Sequence, residues 1–169
     1  MNIYILDDLM IYSFMLKYKG YSVNDKLNKA CIQGHRELVE WTIEKGANDW
    51  NYGLYGACVG GHRKLAERMI EKGAKKWDWG LYGACKGGHR KLVELMIKKG
   101  ASDWNWGLNG ACIGGYKEIC KLMIEKGAKK WDWGLYGACL GGNKELCEWM
   151  MEKGANPRKC KNKEHFHGI

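Results

Sequence analysis

Between Arg90 and Lys99 the apolar residues Leu92, Val93, Leu95, Met96 and Ile97 alternate with Arg90, Lys91, Glu94, Lys98 and Lys99. Steps of three and four residues gather the apolar set on one side of a helix and the charged set on the other. Gly100 follows a basic last turn and predicts the helix end. Upstream, Trp79 to about Lys86 predicts a shorter helix, with Gly87-Gly88 as the turn between the two. Asp78 is the expected N-cap of the shorter helix, and Asn51, Asn105 and Asp132 hold the equivalent positions. The unit is thus a helix-turn-helix joined to the next by a short connector such as Ala74-Lys75-Lys76-Trp77.

That unit recurs. Ala30, Ala57, Ala84, Ala111 and Ala138 are each 27 residues apart, and Cys31, Cys58, Cys85, Cys112 and Cys139 keep the same step, as do Gly46, Gly73, Gly100, Gly127 and Gly154. A fixed period of roughly 20–50 residues over several copies is the mark of a solenoid, in which each unit buries its apolar faces against its neighbours. The expected division is an N-terminal capping half-repeat over 1–23, repeats over 24–47, 48–74, 75–101, 102–128 and 129–155, and a basic tail over 156–169 expected to fray. Residues 7–19, closed by Gly20, read as a second helix lacking its first. Gly80 and Gly83 each cost a helix about 1 kcal/mol relative to Ala. Their repetition predicts close helix approach between stacked copies.

Composition narrows the class. With 46% hydrophobic residues in 169, the chain has the mass for one continuous core and is not expected to be disordered. The N-terminal apolar stretch is broken by Asp7 and Asp8, and no run of about 18 apolar residues occurs. An intracellular, cytoplasmic protein that does not enter a membrane is expected. The formal charge of +9 favours acidic partners.

The stretch GACKGGHRKLVELMIKKGA, Gly83 to Ala101, resembles the ankyrin repeat: paired small residues close a first helix, Gly-His follows two positions later, and a second helix ends in Gly-Ala. The similarity recurs from Ala57, Ala111 and Ala138, more loosely from Ala30, and covers about residues 24–155. It implies an all-α, ankyrin-like helix-turn-helix solenoid. Two features depart from the family. Trp79-Gly80-Leu81-Tyr82 stands where the family has Thr-Pro-Leu-His. The period is also shorter than the usual value of about 33 residues, and the missing stretch is where the family carries its β-hairpin finger. The fingers are therefore expected to be shortened or missing. Short Trp-rich repeats of this kind also resemble those of ankyrin-repeat proteins encoded by large DNA viruses, which would make the partner a host protein.

Candidate chemistry is sparse. Helices stacked in adjacent repeats lie about 8–10 Å apart, whereas a disulfide needs Cα atoms within roughly 4.4–6.8 Å. The five repeated cysteines therefore read as small buried hydrophobes in a reducing compartment, and Cys120 and Cys147, which replace Val93, read the same way. Cys160, His165 and His167 could supply three metal ligands, but no second half-site accompanies them and no metal is assigned. His35, His62 and His89 share one turn position, taken later by Tyr116 and Asn143, and one residue per repeat cannot converge on a reaction centre. With no phosphate loop and no nucleophile elbow, neither catalysis nor a cofactor is expected.

Trp50, Trp77, Trp104 and Trp131 open the units, with Tyr52, Trp79, Trp106 and Trp133 two positions later. They are expected to staple one unit to the next, and the second series also to expose part of each ring to a partner. By family resemblance, partners bind the concave face formed by first helices. The residues carried onto that face are Ile32, Gln33, Val59, Lys86, Ile113 and Leu140, joined by Tyr52, Trp79, Trp106 and Trp133. Four of the five leading residues are apolar, which suits a protein segment; the alternative is that these side chains fold back between the helices. The expected function is a monomeric, non-enzymatic protein-interaction scaffold. The alternatives are a basic nucleic-acid-binding scaffold and a self-assembling structural module. Nucleic acid is disfavoured because Asp49 and Asp103 interrupt the connector lysines Lys75, Lys76, Lys129 and Lys130.

Overall fold

The computed structural model describes residues 3–158. It contains eleven helices and no strand among the described residues: α1 (Ile3–Lys17), α2 (Val23–Gln33), α3 (Arg36–Glu44), α4 (Trp50–Gly60), α5 (Arg63–Glu71), α6 (Trp77–Gly87), α7 (Arg90–Lys99), α8 (Trp104–Gly114), α9 (Lys117–Glu125), α10 (Trp131–Leu140) and α11 (Lys144–Glu152). Connectors of a few residues stand where hairpin fingers would be, as the short period predicts. Cys160, His165 and His167 lie outside the described residues.

Two compact units divide the chain at Lys75 and Lys76. In the first, α2 packs along α4, each carries its own second helix (α3 and α5), and α1 touches α3. In the second, α8 packs between α6 and α10, with α7, α9 and α11 behind them.

The end of each helix explains a repeated word in the sequence. After α5, Gly73 takes φ 111°, Gly73 N–H reaches Ile70 O and Ala74 N–H reaches Met69 O at 2.9 Å. These bonds satisfy carbonyls that a helix end leaves open, and Ala74 is buried, so Gly-Ala is both stop and plug. The same pair of bonds recurs at Ala101, Ala128 and Ala155. At the turn between helices His62, His89, Tyr116 and Asn143 give their N–H to Ala57, Ala84, Ala111 and Ala138.

Cores form between first helices. Leu27, Leu54, Leu81 and Leu108 are wholly buried, each stabilising by about 1.5–3 kcal/mol. Close approach is enforced by glycine. A Cβ placed on Gly56 would meet Asn28 O at 2.5 Å, and one on Gly137 would meet Asn109 O at 2.5 Å. Within each unit this is the close approach that the repeated glycines predict.

The helix start differs from expectation. First helices begin at Trp50, Trp77, Trp104 and Trp131, two residues earlier than the pattern suggests. Asp49 and Asp103 are N-caps, accepting from Tyr52 N–H at 3.0 Å and Trp106 N–H at 2.9 Å. Asn51, Asp78, Asn105 and Asp132 therefore lie inside the helix and do not cap it. Lys76 and Lys130 occupy the other two cap positions without a side-chain cap bond.

Candidate partner-binding face

The residues displaced from capping hold the repeats together. Asn24 Oδ1 accepts from the N–H of Asn48 and Asp49, and Asn51 Oδ1 from Lys75. Asp78 Oδ1 accepts from Ser102 and Asp103, Asn105 Oδ1 from Lys129 and Lys130, and Asp132 Oδ1 from Asn156. Each bond reaches 24 or 25 residues ahead to the next connector, whose backbone has no hairpin to pair with. A repeated Asp/Asn thus does in one oxygen what a finger's backbone pairing would otherwise do.

The turn residues form a second tie. His62 Nε2–H donates to Ile32 O at 3.1 Å, and Asn143 Nδ2 donates to Cys112 O at 2.9 Å and Ile113 O at 3.2 Å. The ring of Tyr116 packs against Gly88 and Gly114. All three side chains close the exposed C-terminal end of the preceding first helix. A third tie uses the position occupied by Asn28, Tyr55, Tyr82, Asn109 and Tyr136. Where it is Asn, the amide donates to the next repeat's backbone, Asn28 to Tyr52 O at 2.8 Å and Asn109 to Trp133 O at 2.7 Å. At Tyr82 the ring instead stacks on Trp106, with centroids 4.8 Å apart and planes 13° apart.

The tryptophans divide into two kinds. Trp50, Trp77 and Trp104 lie against Gly73, Gly100 and Gly127 of their own repeats, where each ring joins a first helix to the end of its own second helix. Lys72 Nζ adds a cation over Trp50, 5.0 Å from the ring centroid. The second series is half-buried. Trp106 makes the inter-repeat stack on Tyr82, and its indole N–H is buried without a hydrogen-bond partner. Lys76 Nζ sits 4.3 Å over Trp79 and Lys130 Nζ 4.2 Å over Trp133, while Tyr52 lies parallel to Tyr55 at 6.1 Å. Where a connector carries Lys in place of the Asp cap, the cation is held on the ring.

Among the leading residues after each Ala-Cys pair, Ile32 and Val59 in the first unit and Lys86 and Ile113 in the second are half-buried. Leu140 is 64% exposed. Gln33 is exposed but turned toward the end of α1, its amide donating to Tyr18 Oη at 3.2 Å.

The cysteines require a correction. Cys31, Cys58, Cys85, Cys112 and Cys120 are buried, but Cys139 is exposed and Cys147 half-buried. Burial pushes the Cys31 and Cys58 thiols up to about 12. Thiols also meet within a repeat: Cys112 Sγ is 3.5 Å from Cys120 Sγ, and Cys139 Sγ is 3.4 Å from Cys147 Sγ. These pairs lie within one repeat, between first and second helix, where the spacing of stacked repeats sets no limit.

No three His, Cys, Asp or Glu side chains group as a metal site among the described residues. Nor is any helix among them long and apolar enough to cross a membrane. No family model matches the chain, and no curated protein matches it. Among solved structures it is similar to the crystal structure of the human ASB11 ankyrin repeat domain, with 25% identity, 84% of this chain and 77% of that chain covered, and a TM-score of 0.51. With the repeated helix pairs, that likeness makes the fold an all-α, ankyrin-like helix-turn-helix solenoid without hairpin fingers.

Proposed function

We propose that the chain is a non-enzymatic scaffold that captures a protein segment on its first-helix side. Ankyrin repeats generally serve protein–protein interaction. The observation that carries the reading is an apolar side chain that recurs, in each unit, at a position the core does not require. Ile32, Val59 and Ile113 keep part of their side chains in solvent, and Leu140 keeps 64%. Glycine follows three of these four residues, at Gly60, Gly114 and Gly141, where a Cβ would collide with the carbonyl of Ile32, Lys86 or Ile113 in the preceding repeat. Partly exposed apolar groups recurring at one repeat position suit an extended or helical segment of another protein. Lys86, Tyr52, Trp79, Trp106 and Trp133 supply one cation and four rings for its rim. The resemblance to viral repeats points to a host protein as the partner.

The test compares wild-type chain with a Val59→Glu, Ile113→Glu, Leu140→Glu variant in capture from a host-cell lysate at low and moderate salt. Circular dichroism checks that the variant keeps its helices. A discrete protein retained by the wild type and lost by the variant is the expected result. Retention of nucleic acid that fades with salt and ignores the three changes overturns it, since phosphate contacts release counterions.

A further inference from the structure

We infer that Cys139 and Cys147 form a redox modification site, a dithiol that a peroxide converts to a disulfide joining α10 to α11. The two sulfurs face each other across the last helix pair at 3.4 Å, eight residues apart in sequence. A disulfide bond is about 2.05 Å long, so closing this pair requires a shift of one to two ångströms between side chains already in contact. Access separates it from its neighbour. Cys112 and Cys120 have the same helix-to-helix geometry at 3.5 Å, yet both are buried, whereas Cys139 is exposed and Cys147 half-buried. In the earlier repeats the second-helix position holds Val39, Ala66 and Val93, all fully buried, so packing alone is satisfied there by an aliphatic group.

The order of reaction follows exposure. Cys139 attacks one oxygen of hydrogen peroxide, the O–O bond breaks, and water leaves a sulfenic acid on Cys139. Cys147, whose thiol is pushed up to about 11 by burial and by its contact with Cys139, is the resolving group. Its sulfur displaces the sulfenic oxygen, the S–O bond breaks, the S–S bond forms and a second water leaves. The two thiols together lose two protons and two electrons, and one peroxide becomes two waters. The consequence is local. Among the described residues α10 packs against one first helix, α8, and against α11, and a covalent link between α10 and α11 suppresses local opening of that pair.

The intact chain is treated with hydrogen peroxide, alkylated under native conditions and digested for peptide mass spectrometry. The expected product is a Cys139–Cys147 link reversed by dithiothreitol, with Cys112 and Cys120 recovered as thiols that alkylate only in denaturant. Hydrogen exchange at the amides of α10 and α11 should slow by about tenfold or more in the oxidised chain. Cys147→Val places there the aliphatic residue of the third repeat, Val93, and removes the thiol. In that variant Cys139 should stop at a sulfenic acid that dimedone traps. The inference is overturned if Cys139 oxidises while Cys147 still alkylates, if Cys139 links to Cys160, or if Cys112 and Cys120 link equally fast.

Discussion

Asp78 Oδ1 accepts the backbone N–H of Ser102 at 2.7 Å, joining the start of one repeat's first helix to the connector of the next. The same oxygen takes Asp103 N–H at 2.8 Å, so one carboxylate serves two donors. Asn105 does the same for Lys129 and Lys130, which shows that the bond needs a carbonyl-like oxygen and not a charge.

Asp78→Ala should destabilise the chain by about 1–3 kcal/mol, because both N–H groups lose a fixed acceptor. Asp78→Asn, the side chain of the neighbouring repeats, should cost less than about 0.5 kcal/mol. Urea unfolding of the two variants distinguishes a clamp that needs the oxygen from one that needs the charge. Equal losses would assign the effect to charge.

Glycine at the helix contact should not tolerate a methyl group. Gly137→Ala gains about 1 kcal/mol in helix propensity, but its Cβ would stand 2.5 Å from Asn109 O. Backbone cannot step aside as a side chain can, and we expect a net loss of about 1–3 kcal/mol by thermal or urea unfolding. A stabilised Gly137→Ala chain would mean that α8 and α10 separate freely.

The stack of Tyr82 on Trp106 should appear as a coupling energy. In a double-mutant cycle of Tyr82→Leu and Trp106→Leu, the interaction term is expected at about 0.5–1.5 kcal/mol. Additive losses would leave the rings as independent apolar fillers.

Buried thiols should make the fold sensitive to alkali. Cys31 and Cys58 are raised from the ordinary thiol value of 9.0 to about 12 by burial, so the folded state favours the neutral form. Their contribution is complete below pH 9.0 and is lost as pH rises through about 12, because the unfolded chain ionises first. Stability measured across that window should fall, and Cys58→Ala should reduce the slope while lowering stability at neutral pH. A slope unchanged in Cys58→Ala would place the alkaline sensitivity elsewhere.

Much of this was legible in the chain itself. The 27-residue step from Ala30 to Ala138, the charged and apolar sides of Arg90–Lys99 and the closing Gly-Ala set out paired helices without fingers. Periodicity and helix stops are local, and local order survives into the fold wherever neighbours repeat the same faces. Tertiary structure decided the rest. Asp78 looks like an N-cap by spacing, yet its partners are Ser102 and Asp103 on the next connector, and no local pattern records a contact made 24 residues ahead. Cys112 and Cys139 stand in nearly the same words, Gly-Ala-Cys-Ile-Gly-Gly and Gly-Ala-Cys-Leu-Gly-Gly. The first is buried because α10 covers α8; the second is exposed because no later first helix follows among the described residues. Near-identical local sequence gives a first helix in both places, but burial depends on what stands beside it.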